Sequence, residues 1–264
     1  MSEQPWRLLV SGGASGARNM ALDDAILAGC SEGTSPPTLR LYWFEPPCLS
    51  LGKFQLVDRD ADSTACRERG IEIVQRPTGG RAVLHWGDLV YAVIAPEGDP
   101  MVAGGILDSY RRIGEALERG LSRLGLPNLE SAPRKERLPR TGACFDLPAA
   151  YELTLDGKKL TGSAQVRRAH GVLQHGSILI DERALDIDGL LRVNGVPVRV
   201  PRPSAVTLPG ALGRPVERGE VVEAVRAGFA ECVPGLKVGG LTAGELDAAL
   251  RLRYDRYPDP IATR

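Results

Sequence analysis

The sequence predicts an α/β (α+β) fold in which a mixed, partly antiparallel sheet is flanked by helices. Strand-like apolar runs alternate with helical patterns along the chain. The pair Asp156 and Gly157 lies between two strand-like runs and is typical of a tight hairpin, because both turn positions require positive φ. The 264 residues, 43% of them hydrophobic, are enough to fill a sizeable core.

Apolar residues spaced three and four apart predict the clearest helix, over residues 106–124. The residues of this apolar face are Ile106, Tyr110, Ile113, Leu117, Leu121 and Leu124. Further helices are predicted over residues 19–29, 59–69, 219–232 and 242–254. The last of these begins at Thr242 and carries Glu245 three positions later, which is a capping-box pattern.

Strands are predicted between these helices, where β-branched and aromatic residues cluster. They cover residues 38–44, 71–75, 89–95, 151–155, 160–166 and 172–180. No internal repeat is visible, and the segments of low hydrophobicity resemble loops more than domain linkers. We therefore expect one main domain over residues 1–200, with residues 201–264 forming a small C-terminal helical appendage packed on it.

Composition limits the class of protein. Lys plus Arg and Asp plus Glu both number 33, so the formal charge is zero and nucleic acid is not expected as a partner. The first residues lack a basic segment followed by an apolar run, and no stretch is long enough to span a membrane. The cysteines are odd in number and scattered, without Cys-x-x-Cys spacing; they are Cys30, Cys48, Cys66, Cys144 and Cys232. We expect a cytoplasmic protein with reduced thiols, no metal and no cofactor.

A glycine pair with polar neighbours marks the first candidate binding segment, QRPTGGRAVLH at residues 75–85. Two adjacent glycines let the backbone approach a ligand closely and expose N–H groups, although Gly-Gly alone is ordinary in turns. The string resembles the Arg-x-Thr/Ser-Gly-Gly-x-x-Val-x-His signature of the family that holds lipoate-protein ligases and octanoyltransferases, which is structurally related to biotin ligases.

A second segment, KKLTGSAQ at residues 158–165, resembles the Lys-hydrophobic-x-Gly-Ser-Ala element of the same family. The matching lysine is Lys159, not Lys158. If residues 156–157 form a two-residue turn, Thr154 lies opposite Lys159 and Glu152 lies opposite Thr161, which places Lys159 on a polar face. The segment LQHGSIL at residues 173–179 resembles the strand that follows in the family. We expect a structural role for its histidine, His175.

The cysteine Cys144 lies in a Gly-Ala loop, RTGACFD at residues 140–146, without apolar periodicity to explain burial. Cys30, Cys66 and Cys232 are instead expected to be small buried hydrophobic residues. Cysteine-type octanoyltransferases have their nucleophile at the position of Cys144, fifteen residues before the family lysine, and the ligases lack it. The resemblance therefore implies that Cys144 is the acyl-carrying nucleophile.

The chemistry requires such a pair because thiolate, not thiol, is the nucleophile, and a free cysteine has a pKa of about 8.5. A neighbouring ammonium lowers that pKa, and Lys159 would supply it. Attack on a thioester donor gives an acyl-enzyme thioester of nearly equal energy, which an acceptor lysine converts to an amide without ATP.

The resemblance covers roughly residues 5–240 and is firmest over residues 71–180. It implies a catalytic domain similar to that of biotin and lipoate ligases, with an apolar tunnel for an acyl chain. The donor would be octanoyl acyl carrier protein, and the acceptor a lysine of a lipoyl domain or of glycine-cleavage H protein. The residues implied in substrate binding are Arg76, Thr78, Gly79, Gly80, Arg81, His85, Gly162, Ser163 and Ala164.

Four alternatives remain open. An ATP-dependent lipoate-protein ligase shares the signature, but Arg81 stands where ligases usually have a third glycine, and its bulk would obstruct an acyl-adenylate. An octanoyl amidotransferase between lipoyl domains is poorly separated by sequence. A dinucleotide-dependent dehydrogenase is suggested by the glycines of residues 11–16, but their spacing does not fit Gly-x-Gly-x-x-Gly. A non-catalytic acyl- or carrier-binding module would leave Cys144 purely structural.

Overall fold

The computed structural model describes residues 4–126, 128–131, 151–193, 195–200 and 205–258. Cys144 lies outside these residues. The described strands and helices are β1 Arg7–Ala14, α1 Gly16–Glu32, β2 Thr38–Phe44, β3 Cys48–Leu51, α2 Val57–Asp60, α3 Ser63–Glu68, β4 Glu72–Gln75, β5 Val83–His85, β6 Leu89–Pro96, α4 Ile106–Ser122, β7 Leu129–Ser131, β8 Leu153–Leu155, β9 Lys158–Lys159, β10 Thr161–Arg168, β11 Gly171–Ile178, β12 Arg192–Val193, β13 Val196–Pro197, α5 Leu208–Leu212, α6 Arg218–Ala230, β14 Lys237–Val238 and α7 Ala243–Asp255.

The main sheet has six strands in the order β10-β11-β6-β2-β1-β14. β1 runs parallel to β2 and β14, whereas β2, β6, β11 and β10 pair antiparallel with one another. The predicted mixed, partly antiparallel sheet is therefore confirmed.

Alternating side chains of the sheet supply two cores, as the two-residue period of a strand requires. In β2, Leu39 and Leu41 belong to the core shared with α4 and α6. Tyr42, which points the other way, belongs to the core shared with α1 and α7. The sheet is thus covered by helices on both faces.

The C-terminal segment, residues 205–258, packs against the rest of the chain. α6 packs against α4, α7 packs against α1, and β14 extends the main sheet beside β1. A buried ion pair between Arg7 and Glu245, with 2.6 Å between Nη2 and Oε1, ties α7 to β1. The division into a domain over residues 1–200 and an appendage over 201–264 remains a prediction.

The predicted hairpin is present. Asp156 and Gly157 have φ of 48° and 76°, the left-handed values that a two-residue turn between twisted strands needs. Thr154 pairs with Lys159 across β8 and β9, which is the predicted register.

Two helix predictions need correction. The helix predicted over residues 59–69 is broken into α2 and α3, because Ala61 is extended and bridges to Leu191 while the Asp62 carboxylate accepts from the Ala65 N–H and starts α3. In α4, Ile113, Leu117 and Leu121 are buried as predicted, but Ile106 in the first turn is exposed.

Within the described ranges, no helix combines the length and apolar character needed to cross a bilayer.

Candidate functional site

A pocket opens between the main sheet and the small sheet formed by β3, β4 and β5. It brings two of the sequence-predicted segments together, since Arg76 and His85 of the first face Gly162, Ser163 and Ala164 of the second. The remaining lining residues are Met20, Tyr42, Phe44, Ser50, Val83, Val90, His175, Gly176 and Ser177. Most of the wall is apolar, with a few polar groups, as in typical small-molecule sites.

Arg76 holds the Gly-Gly loop in shape. Its guanidinium donates to the carbonyl oxygens of Gly79 at 2.8 Å, Arg81 at 2.7 Å and Ser50 at 2.9 Å. Three donors of the planar fork are thereby used on backbone oxygens, which fixes the loop to β3. Arg76 therefore lines the cavity while also acting as the support of the loop.

The Gly-Gly loop packs against the segment after β3 so closely that residue 52 must be glycine. A Cβ added at Gly52 would lie 2.0 Å from the carbonyl oxygen of Gly80. The N–H of Lys53 donates to the carbonyl oxygen of Thr78 at 2.8 Å. The segment after β3 thus fixes the backbone of residues 78–80. The cavity is shaped by this loop, although none of its predicted residues is among the lining residues; these are Thr78, Gly79, Gly80 and Arg81.

Thr78 belongs to a buried polar chain that runs behind the cavity. Its Oγ1 lies 2.7 Å from Nε2 of His175, and Nδ1 of His175 lies 3.3 Å from Oδ2 of Asp23. Arg40 forms a 2.6 Å ion pair with Asp23, and the hydroxyl of Tyr42 donates to the same carboxylate at 2.9 Å. Both ring nitrogens of His175 are therefore engaged.

The electrostatics of this chain follow from its burial. Desolvation lowers the pKa of His175 from its ordinary 6.5, against the opposing effect of Asp23, so the ring is neutral at neutral pH. Burial by itself would raise the pKa of Asp23, but the Arg40 guanidinium and His175 hold it below its ordinary value. Burial and the Asp23 carboxylate raise the pKa of Tyr42.

His85 is held differently. Its Nδ1 lies 2.7 Å from Oδ2 of Asp88, and its ring stacks on Phe44 with centroids 4.2 Å apart and an interplanar angle of 17°. The hydroxyl of Ser177 donates to the same oxygen of Asp88. Asp88 Oδ1 is buried and has no hydrogen-bond partner among the described residues. The stacking and the contact with Asp88 fix the orientation of the imidazole, and His85 is among the residues that line the cavity.

Lys159 lies on the polar face that the hairpin register predicts, but this face is buried. The side chains of Lys159 and Glu152 are 2% and 1% exposed, and Nζ lies 2.8 Å from Oε2. The other carboxylate oxygen, Oε1, accepts from the N–H of Ser163 at 2.7 Å, and Ser163 Oγ lies 2.7 Å from the hydroxyl of Tyr91. The lysine is therefore linked through Glu152 to a residue of the cavity wall.

Tyr91 belongs to the same hydrogen-bond network as Lys159, Glu152 and Ser163. Its burial raises the pKa of the phenol to about 12, although hydrogen bonds with Ser163 and Gln174 act in the opposite direction. A phenol that stays protonated serves as a fixed donor or acceptor for Ser163. The Gly162 to Ala164 segment is thus supported by polar partners at both the backbone and the side chain of Ser163.

The cysteines follow the expectations only in part. Cys30 and Cys66 are buried, and burial raises the pKa of each thiol to about 12. Cys232 was predicted to be buried and is exposed, because α6 ends at Ala230, before the helical spacing reaches it. Cys48 is buried and pairs with His85 across β3 and β5, on the strand that contributes Ser50 to the cavity lining.

Several residues of the site were not identified from the sequence. Asp23 and Arg40 carry no local motif, and only the sheet brings them to His175. Asp88 follows His85 by three residues, and Glu152 was named only for its register opposite Thr161. The available signal was a carboxylate close in sequence to a predicted basic residue, as Asp88 is to His85 and Glu152 is to Lys159.

The glycines of residues 11–16 do not form a dinucleotide site, since Gly12 and Gly13 lie within β1 and Gly16 begins α1. The N–H of Gly16, the first residue of α1, donates to Oε2 of Glu72 at 2.7 Å. A carboxylate therefore occupies the helix N-terminus at which a pyrophosphate would bind. The sheet is also mixed, whereas a dinucleotide fold has a parallel one.

Comparison with known proteins identifies the family. The model of the lipoyl protein ligase A/B catalytic domain matches residues 15–230. The chain is 44% identical over 263 residues to Octanoyltransferase LipM of Kyrpidia tusciae, covering 94% of this chain and 95% of that protein. It is 42% identical to Octanoyltransferase LipM of Moorella thermoacetica, covering 96% of both.

The solved structures agree on the fold. A lipoate-protein ligase A bound with ATP superimposes with a TM-score of 0.77 at 25% identity, covering 96% of both chains. The chain belongs to the lipoyl protein ligase A/B catalytic-domain family.

Proposed function

We propose that this protein is an octanoyltransferase of protein lipoylation. It takes octanoyl from octanoyl acyl carrier protein onto Cys144 as a thioester and passes it to a lysine of a lipoyl domain or of glycine-cleavage H protein. The observation that carries the proposal is the likeness, at 44% and 42% identity over nearly the whole chain, to proteins named Octanoyltransferase LipM. Membership of the family and the apolar cavity support it.

The cavity supports an acyl substrate through its composition. Met20, Val83 and Val90 offer an apolar wall for the hydrocarbon chain, and Ser163 with its neighbours offers polar groups for the thioester end. Thr78, Gly79, Gly80 and Arg81 shape this wall from behind, while His85, Gly162 and Ala164 face it. We assign all of these, with Arg76, to substrate binding.

Lys159 is proposed to lower the pKa of the Cys144 thiol. A buried ammonium acts through a low dielectric, where its effect on a nearby thiol is stronger than in water. Glu152, 2.8 Å from Nζ, opposes that effect because the pair is neutral overall. The lysine therefore favours the thiolate only if it is closer to the sulfur than Glu152 is, which requires an ordered geometry.

The reaction needs neither ATP nor a cofactor, because a thioester already carries the activation that an adenylate supplies in a ligase. Arg81 in place of a third glycine agrees with this. Reduced thiols, as at Cys30, Cys66 and Cys232, fit a cytoplasmic reaction with carrier proteins as substrates.

The test compares different octanoyl donors with the same acceptor. The purified protein is incubated with a lipoyl domain and either octanoyl acyl carrier protein without ATP or free octanoate with ATP, and the acceptor is analysed by mass spectrometry. The proposal expects an octanoyl adduct on the acceptor lysine in the first mixture. An adduct in the second mixture alone would identify an ATP-dependent ligase. An adduct formed only when an octanoylated domain replaces the carrier protein would identify an amidotransferase.

A matched pair of cysteine variants locates the nucleophile. Cys144→Ala should abolish transfer, whereas Cys232→Ala, which removes the exposed thiol described at the end of α6, should leave it unchanged. Full transfer by Cys144→Ala would remove Cys144 from the mechanism.

A further inference from the structure

A row of paired residues crosses the main sheet along the cavity. Gly162 of β10 pairs with Ser177 of β11. Ser177 pairs in turn with Val90 of β6, and Val90 pairs with Tyr42 of β2. All of these residues line the cavity. Adjacent strands lie about 4.8 Å apart, so the row is about 14 Å long and forms a continuous track for an extended acyl chain.

The two ends of this row differ in exposure. Beside Gly162, the next residues Ser163 and Ala164 are partly exposed. At the other end, Tyr42 is buried in the same core as Met20 of α1, which also lines the cavity. The thioester end of an acyl chain has to meet carrier and acceptor proteins, so it belongs at the open end. The methyl end then points to Tyr42 and Met20.

Helix α1 holds Met20 at this buried end. The preceding residue, Asn19, donates through Nδ2 to the carbonyl oxygens of Ala14 at 2.9 Å and Trp43 at 3.0 Å. The carbonyl oxygen of Asn19 accepts from Nη1 of Arg40 at 3.0 Å. These bonds fix the turn of α1 that carries Met20 against β1 and β2, so the backbone at Met20 is held in place while its side chain faces the cavity.

The cavity has to widen before it takes an acyl chain. Its free volume is about 30 Å³, which is room for about one water molecule. The aromatic rings of the lining are held, one by stacking on His85 and the other by a hydrogen bond to Asp23. Val83 and Val90 are β-branched and stiff about χ1. Met20 has three rotatable side-chain bonds and needs no hydrogen bond, so its side chain is the one best able to make room.

We infer that Met20 sets the longest acyl chain that the proposed transfer accepts, because the methyl end of the chain turns its side chain aside and then stops against it. This inference rests on the proposed function. Each further methylene of the acyl chain needs space that the methionine occupies. A smaller side chain at this position supplies that space, and a larger one takes space away from octanoyl itself.

The experiment measures chain-length selectivity within one mixture. The protein receives equal amounts of hexanoyl, octanoyl, decanoyl and dodecanoyl acyl carrier protein with a limiting lipoyl domain, and mass spectrometry gives the ratios of the acyl adducts. Met20→Ala should raise the decanoyl-to-octanoyl ratio over that of the wild type by on the order of tenfold or more, as expected for methylenes in an apolar pocket. Met20→Phe should act in the opposite direction and raise the hexanoyl-to-octanoyl ratio.

The matched control is Met101→Ala. Met101 is also buried, but it belongs to the core on the other face of the sheet and is not among the residues that line the cavity. The same truncation there should leave the ratios at their wild-type values. A ratio within one mixture does not depend on how much of a variant is folded. If Met20→Ala does not fold at all, Met20→Val should shift the ratio in the same direction by a smaller amount.

The outcomes distinguish the inference from the proposed function. If the wild type forms no acyl adduct from any of the carrier proteins, the proposed function fails. If it forms adducts and the Met20 variants keep the wild-type ratios, or Met101→Ala shifts them equally, the inference fails alone.

Discussion

The buried pair of Lys159 and Glu152 allows a quantitative prediction about stability. Both side chains are at most 2% exposed and their charged atoms are 2.8 Å apart, so removing one partner takes the adjacent opposite charge away from a group that water does not reach. Lys159→Met should therefore lower the free energy of unfolding by about 3–5 kcal/mol. The double variant Lys159→Met/Glu152→Gln should lose less than Lys159→Met alone, because both buried charges are then absent.

Urea unfolding of the wild type, both single variants and the double variant gives the coupling energy. We expect about 1–3 kcal/mol. The matched control is the exposed pair of Arg111 and Glu115 in α4, whose side chains are 47% and 45% exposed and whose atoms are also 2.8 Å apart. Its coupling should be about 0.3–0.5 kcal/mol. Equal coupling for the two pairs, or additive losses at Lys159 and Glu152, would refute the reasoning.

Three further predictions follow from the same structure. Because burial lowers the pKa of His175, the unfolded chain binds its proton first, so the free energy of unfolding should drop as the pH falls below about 6.5. Urea titrations of His175→Gln should show a shallower drop, and an identical one would contradict the assignment. Gly157→Ala should lower the free energy of unfolding by about 1–2 kcal/mol through backbone strain alone, since a Cβ there meets no atom within 4 Å. The control Gly98→Ala, at an equally open position without positive φ, should cost little. Equal losses of stability in thermal unfolding would argue against the strain. Lys159→Ala should raise the pKa of the Cys144 thiol, seen as a shift in the pH dependence of alkylation, and an unchanged profile would remove its proposed role.

The fold was accessible from the sequence where local patterns decide structure. The strand β2 and the left-handed turn at Asp156 and Gly157 are encoded in short segments, and both were predicted at the right residues. The helix over residues 59–69 was predicted wrongly because the Asp62 cap, which competes with helix continuation, has the same local signal as an ordinary surface aspartate. Such a competition is settled by the tertiary bridge to Leu191, not by the sequence nearby.

The residues of the candidate site also fall into those that the sequence could identify and those that it could not. Motif residues such as Arg76 and Ser163 could be named from the resemblance, and the cavity brings them together. Their supports could not be named, because Asp23 reaches His175 across 152 positions of the chain. The burial of Lys159 was also missed, since it depends on Glu152 being turned inward with it.

The central claim, that Cys144 carries the acyl group, is tested most directly by intact mass. The purified protein is mixed with octanoyl acyl carrier protein without ATP, and the octanoyl adduct is mapped and treated with hydroxylamine. We expect one hydroxylamine-sensitive octanoyl group on Cys144 that is absent from Cys144→Ala and present in Cys232→Ala. An octanoyl adduct that persists in Cys144→Ala would contradict the account.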